Sequence, residues 1–385
     1  MIHADNAGAA AALAHYYSAR KDHRTAYRFA SEARAQGIET PGLLLDLAVS
    51  AWYSGEEAIA IGREACETLS FSREAPKEIR DLARHKTYFY TQEVDKLLPS
   101  WEAAPIGFNP PPGWFAQNAS IMRQGDRLFL AQRCINYWID QDGSHTSEWT
   151  TAGSRTFLCR VDPDSLADEP ICELRANVPS FEDLRLFSWQ GDLWGIATGI
   201  DAELLHQQWL IKVSSLGPCA GWLLHYGDWR RSEKNWMPLV DGERLRFIYA
   251  VAPTIVLDQD AAHLSIDRPA VDGAHLRGSS QAMDFEGGWL AVVHAVTRQE
   301  GWAKYHHRFA WWDRSFCLRR LSLPFTFPTE TTLPSRRGYQ YVMGLCRHPD
   351  GERLLISYQV DECRPWIGAF AAGDLDAELL ELKHG

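Results

Sequence analysis

Five short polar turns recur along the last two thirds of the chain, and each opens a strand-like run of similar character. They are Gln124-Gly125-Asp126, Gln190-Gly191-Asp192, Asp241-Gly242-Glu243, Glu286-Gly287-Gly288 and Pro349-Asp350-Gly351. Gly, Asp and Asn supply the tight conformations that join antiparallel strands. The runs around the turns, among them RLFLAQRCINYWI, DLWGIATGI, RLRFIYAV, GWLAVVHAV and RLLISYQV, are rich in β-branched and aromatic residues. One polar turn per few tens of residues, repeated along the chain, is an internal repeat. Such strands must either close radially or stack as two sheets. The recurrence of the hairpin turns favours a mainly β, five-bladed β-propeller, which leaves few edges exposed, over an ordinary β-sandwich.

Upstream the pattern changes. Residues 1–98 are rich in Ala, Glu and Arg, which predicts helices. In LAHYYSARKDHRTAYRFASEARAQG, residues Ala26, Phe29, Ala30 and Ala33 fall on one helical face. LLLDLAVSAWYSGEEAIAIGREACETL repeats the arrangement with Ala58 and Ala65, and PKEIRDLARHKTYFYTQEVDKLL adds a third unit. These paired helices resemble degenerate tetratricopeptide repeats, which implies either a concave face for a protein partner or simple packing. The stretch PSWEAAPIGFNPPPGWF then interrupts both helix and central strand. The expected organisation is an N-terminal all-α helical-repeat domain (1–98), a Pro-rich linker (99–117) and a propeller (118–385).

Composition narrows the function. The 385 residues carry 39 basic and 50 acidic side chains, a net charge of −11, with no basic domain of the kind that binds nucleic acid. Sixteen Trp, 16 Phe and 13 Tyr could serve as packing or as walls for sugar rings. The eight Cys form no CxxC pair, no metal-ligand spacing stands out, and no cofactor is expected. The start, MIHADNAGAAAALAHYY, lacks the basic-then-apolar order of a secretory leader, and no apolar run would span a bilayer. A reducing cytoplasm with free thiols is the expected location.

In a propeller, polar residues at matching places in successive blades converge on one pocket. The first unit offers Asn118 and Arg133, and the second offers Glu182, Asp183 and Arg185 inside FEDLRLF. The third offers Glu233, Lys234, Asn235 and Trp236. The fourth offers Arg277, Ser279, Ser280, Gln281, His294, Tyr305, His306, His307 and Arg308. The fifth offers Gln359, Asp361, Glu362 and Trp366. Singly, each has a structural reading, such as a salt bridge or a histidine satisfying a backbone group. One polar cluster per unit is harder to explain as packing, because burying charge is costly unless it is paired or used.

The order NAS, FEDLR, EKNW, RGSS, HAV, Y–x–x–R and a strand ending in an acid resembles the β-mannoside phosphorylase and hydrolase group, glycoside hydrolase family 130. It also resembles the related propeller β-mannosyltransferases. In that group the signatures run NPA, EDPR, KN, a glycine-rich loop, HGV, Y–R and AAD. The resemblance covers about Asn118 to Phe370. Leu184 stands where the group has Pro, RGSS replaces the glycine-rich loop, and Ala295 replaces the Gly of HGV.

The resemblance implies an inverting glycosyl-transferring enzyme, a phosphorylase or transferase acting on β-mannoside-like glycans. Asp183 would be the catalytic acid, its pKa raised by burial near Glu182 and opposed by Arg185. Arg185 would hold a sugar oxygen or Glu182. His294, Tyr305, His307 and Arg308, with Lys234, would bind phosphate, sugar phosphate or a nucleotide sugar. Asn118, Arg133, Glu182, Asn235, Ser279, Ser280 and Asp361 would bind the glycan, with Trp236 and Trp366 as stacking walls. Two alternatives stay open. An inverting hydrolase needs a second carboxylate to activate water, for which Asp361 and Glu362 are available. A non-catalytic carbohydrate-binding or scaffold protein needs none.

Overall fold

A computed structural model describes residues 2–139, 145–146, 153–201, 203–228, 230–269, 271–299, 302–328, 339–361 and 363–382. The chain divides into two compact units. One comprises Met1–Thr91 with Ala270–Gly273 and His384–Gly385, and the other Gln92–Pro269 with Ala274–Lys383.

The first unit is helical among its described residues: Ile2–Ala19, His23–Ala35, Pro41–Ser50, Glu56–Phe71 and Lys77–Thr87, with short 3₁₀ turns between. The Asp22 side chain accepts from the Thr25 N–H to start the second helix, and Gly37 in the left-handed region (φ 89°) follows its end. Thr40 caps the third helix ahead of Pro41. Ala26, Ala30, Ala33, Ala58 and Ala65 are buried, and small side chains let consecutive helices pack closely.

The second unit is mainly β. Two meanders share one eight-stranded sheet. The first is Phe115–Gln124, Arg127–Ile135, Ser154–Val161 and Asp168–Ala176. The second is Glu182–Trp189, Asp192–Ile200, His206–Lys212 and Pro218–Leu224. Their last strands pair in parallel, at Pro218↔Arg175 and Cys219↔Ala176. A third meander runs from Met237–Asp241 to His263–Asp267. A fourth is built on the long hairpin Gly288–Gln299 and Trp302–Trp312. The last comprises Gln340–Arg347, Arg353–Val360 and Arg364–Ala371, with an outer strand, Glu102–Pro105, supplied from the start of the unit.

That outer strand corrects the linker reading. Pro105 ends the strand at a sheet edge, where its missing N–H is tolerated. Val94, Leu97 and Leu98, expected with the helices, lie instead in the strand-rich core with Phe285, Phe309 and Phe370.

The first strand of each meander ends a sheet and so keeps an unpaired edge. Side chains from neighbouring meanders satisfy these edges. Ser357 Oγ accepts from the Ile121 N–H (2.9 Å) and donates to the Ala119 carbonyl (2.6 Å). Ser120 Oγ accepts from the Leu186 N–H (3.0 Å). Gln281 donates to the Ile121 carbonyl (2.9 Å) and accepts from the Leu345 N–H (3.2 Å).

Ser357→Ala should therefore strand two buried backbone groups at a cost of about 1–3 kcal/mol. Thermal unfolding checks this; an unchanged midpoint would contradict the role given to Ser357.

Candidate active site

Four polar residues at or beside strand ends adopt the left-handed region: Asn118 (φ 39°), Asp183 (φ 51°) and Asn235 (φ 66°) at the first strands of their meanders, and Asp361 (φ 56°) just after the strand Arg353–Val360. Asn and Asp tolerate this conformation better than most residues, and such positions cluster at functional sites. Two are β-bulges. Asn118 is the extra residue between the pairs Gln117↔Arg133 and Ala119↔Gln132. Asp183 and Leu184 lie between the pairs Glu182↔Thr198 and Arg185↔Ile196. A bulge re-aims the chain locally: Asp183 lines a cavity while Leu184 joins the core with Phe181 and Leu186.

The cavity has a volume of about 530 Å³. It is lined by Asn118, Arg133, Glu182, Asp183, Lys234, Asn235, Arg277, His294, Tyr305 and Gln359 from the sequence reading. Gln117, Tyr137, His206, Tyr339, Gln340 and Tyr341 complete its polar and aromatic wall.

Arg133 organises one side. Its guanidinium donates to Asp183 Oδ1 (2.8 Å), Tyr137 Oη (2.9 Å) and Ser154 Oγ (3.0 Å), and pairs with Glu182 Oε1 at 3.1 Å. Asn118 Nδ2 also donates to Asp183 Oδ1 (2.7 Å). Burial alone would raise the Asp183 pKa. Arg133, Arg185, the Asn118 hydrogen bond and Lys234 together overcome it and hold the carboxyl below the usual range. The expected raised pKa is thus reversed: the groups around Asp183 favour its carboxylate form.

Arg185 lies behind the wall, fully buried. It donates to the Ser279 carbonyl, to Asn235 Oδ1 (3.1 Å) and to Tyr341 Oη (2.9 Å). Tyr341 Oη in turn donates to Asn235 Oδ1 (2.7 Å). The guanidinium therefore ties three inner segments together rather than lining the cavity. Lys234 is exposed to the cavity, and desolvation by the surrounding protein lowers its pKa against the pull of Asp183 and Glu182. Burial, then His307 and Arg277, keep His294 neutral; its Nδ1 lies 2.8 Å from Ser279 Oγ.

Other candidates lie off the cavity. Ser280 Oγ accepts from the Val292 N–H (2.9 Å), closing the RGSS segment onto its own hairpin. Trp236 is fully buried with its indole donating to Glu233 (3.2 Å). Arg308 donates to the Ser322 carbonyl (2.9 Å). His307 sits against Phe325 and Phe327, with ring centroids 5.9 and 5.4 Å away, and neither nitrogen has a hydrogen-bond partner among the described residues. Asp361 is buried, and its two carboxylate oxygens likewise have none. Glu362 lies outside the described residues. Trp366 lines a different cleft.

No protein-family model and no curated protein matches the sequence. Solved structures match the fold. A β-1,2-mannobiose phosphorylase from Listeria innocua aligns with TM-score 0.54 at 11% identity, covering 75% of this chain and 98% of its own. A GDP-Man-dependent mannosyltransferase from Leishmania mexicana aligns with TM-score 0.52 at 11% identity, covering 74% and 94%. A mannose phosphorylase from Leishmania mexicana, solved with a phosphate ion, aligns with TM-score 0.50 at 12% identity, covering 74% and 92%. At these identities the likeness establishes a shared β-propeller-like fold. Among the described residues, no helix is long and apolar enough to cross a membrane.

Burial pushes both His306 and His307 down from 6.5 to about 3. Between those values the unfolded imidazoles bind protons that the folded ones do not, so stability is full above about 6.5 and falls as pH drops toward 3. His307→Phe, suited to its aromatic surroundings, should raise the thermal midpoint in mild acid and change it little above neutrality. A pH dependence identical to wild type would contradict the neutral, buried assignment.

Proposed function

We propose that the chain is an inverting glycosyl-transferring enzyme, a glycoside phosphorylase or glycosyltransferase acting on β-mannoside-like glycans. The strand groups are read as five blades about the cavity, with the helical unit up to Thr91 as a helical-repeat domain available to a protein partner, in a cytoplasmic protein. The observation that carries the reading is Asp183: an ionised carboxylate on a left-handed bulge, lining a polar cavity that also holds Arg133, Lys234 and Arg277.

An ionised carboxylate is a base. In the synthetic direction the acceptor hydroxyl gives its proton to Asp183 as its oxygen bonds to the anomeric carbon. On the opposite face the bond from that carbon to the donor's phosphate oxygen breaks, and the electron pair leaves with the phosphate. Configuration inverts. In the degradative direction the protonated Asp183 is the acid, and phosphate is the nucleophile. Binding of an anionic donor would offset the surrounding cations and raise the Asp183 pKa, which readies it to take a proton.

Lys234 and Arg277, with neutral His294 and Tyr305, form the donor-rich side suited to phosphate. Asn118 Oδ1 and Gln117 Oε1 are buried acceptors with no partner among the described residues, which suits the hydroxyls of a sugar. Mannose comes first as the sugar because the two phosphorylases and the transferase of similar fold are named for mannobiose, mannose and GDP-Man.

Phosphorolysis or transfer is favoured over hydrolysis by the carboxylates. Among the described lining residues these are Glu182 and Asp183, sequence neighbours that share Arg133. An inverting hydrolase needs its two carboxyls about 6.5–9.5 Å apart, across the sugar ring.

Asp183→Asn tests the assignment. Product analysis should record a loss of about 10²–10⁴-fold or more in turnover, with donor binding retained. Turnover near the wild-type rate would refute Asp183 as the acid–base group.

A further inference from the structure

Asn235 is held from three sides, each by a different meander. Its side-chain Oδ1 accepts from Arg185 Nη2 (3.1 Å), of the second meander, and from Tyr341 Oη (2.7 Å), of the last. Against its backbone lies Gly278, on the short strand Arg277–Gly278 that pairs with the fourth meander's hairpin. A β-carbon at Gly278 would run into the Asn235 carbonyl and the Met237 side chain, so only glycine allows this approach. Asn235 itself stands in the left-handed region, two residues ahead of the strand Met237–Asp241.

These contacts decide which way the amide points. A guanidinium has no acceptor atom, so each group that meets Arg185 Nη2 must turn an oxygen towards it. Tyr341 Oη accepts from it (2.9 Å), which leaves the single phenol hydrogen for Asn235. Two donors therefore converge on Asn235 Oδ1, and Nδ2 takes the other side. Asn235 lines the cavity, and its Nδ2 has no hydrogen-bond partner among the described residues. Asn118 is set the opposite way: its Nδ2 is engaged by Asp183, and Oδ1 is its unpartnered atom. The cavity thus offers an acceptor beside Asp183 and a fixed donor beside Lys234 and Arg277, two exposed cations that also line it.

We propose that Asn235 donates through Nδ2 to a phosphate oxygen of the glycosyl donor, and that Tyr341, with Arg185, is the positioning residue that keeps the amide turned that way. The proposal rests on the glycosyl-transfer reading of the cavity. It moves Asn235 from the glycan, where the family resemblance placed it, to the phosphate, and it gives Tyr341 a role. A donor fixed before the ligand arrives needs no reorganisation, and a hydrogen bond to a charged oxygen is stronger than one to a hydroxyl. An amide free to turn would set its own oxygen against the anion in one of its two orientations.

Calorimetric titration of the full chain with inorganic phosphate and with GDP tests it without requiring turnover, and the two probes separate a sugar phosphate from a nucleotide sugar as donor. Wild type should bind at least one. Asn235→Ala and Tyr341→Phe should each weaken that binding about tenfold. Tyr341→Phe keeps the ring and leaves Arg185 its bonds to Ser279 and Asn235. In the Asn235→Ala chain it should cost nothing further, because its effect passes through the amide; a tyrosine that only supports the fold would add its own loss. Asn235→Asp keeps an oxygen for Arg185 and Tyr341 but turns a second one to the cavity, so it should bind more weakly than Asn235→Ala. Asn235→Asp binding as tightly as Asn235→Ala overturns the phosphate contact. Wild-type affinity in Tyr341→Phe, or additive losses in the double variant, overturns the positioning role. Either result leaves the cavity reading standing, whereas failure of wild type to bind either probe overturns both.

Discussion

The charge state of the cavity turns on one guanidinium. Glu182 and Asp183 are neighbours in sequence that line the same space, and left alone they would repel and compete for a proton. Arg133, from the preceding meander, reaches both carboxylates and is held in turn by Tyr137 and Ser154. Asn118, on the same meander, adds a hydrogen bond to the Asp183 oxygen that Arg133 contacts. The group proposed for acid–base work is thus carried by one meander and positioned by another. This arrangement favours the ionised form; on the proposed reading it is a bound donor, rather than burial, that would shift the proton.

A second constraint is the unpaired edge of each inner strand. Buried N–H and C=O groups must find partners, and this unit supplies them from side chains: Ser120, Gln281, Ser357 and Gln359. Polar residues in the middle of these strands therefore serve two purposes. Some close the centre of the fold, and others face the cavity. Arg185 belongs with the first group although it lies two residues from Asp183. It joins Ser279, Asn235 and Tyr341, which come from separate segments, and so fixes the wall on which Asn235 is displayed.

This double use explains what was readable in the sequence. Repeated polar turns announce the strand-rich unit because turn chemistry is local. The clusters around Asn118, Asp183, Lys234 and His294 could be assigned to one cavity because each breaks an apolar strand with charge or amide. Ser280, Trp236, His307 and Arg308 satisfy the same pattern yet lie off the cavity, since a sequence does not say which face of a bulged strand a side chain takes. Tyr339 and Tyr341 escaped notice for the opposite reason: alternating aromatics look like any strand. Arg277 stood out only as the first residue of RGSS, and His206 carried no signal. The outer strand Glu102–Pro105 was hidden because its partner, Arg364–Ala371, lies far away in sequence, and its Pro content reads as a linker.

The central claim is glycosyl transfer from a phosphate-bearing donor with inversion. Mass spectrometry of products tests it most directly. The purified protein is given α-mannose 1-phosphate with short manno-oligosaccharides and, in parallel, GDP-mannose with the same acceptors. The account predicts an acceptor extended by one sugar unit from at least one donor, with phosphate or GDP released in equal amount and a β linkage formed. Donor hydrolysis without extension would contradict it, as would intact donors and unmodified acceptors in both reactions.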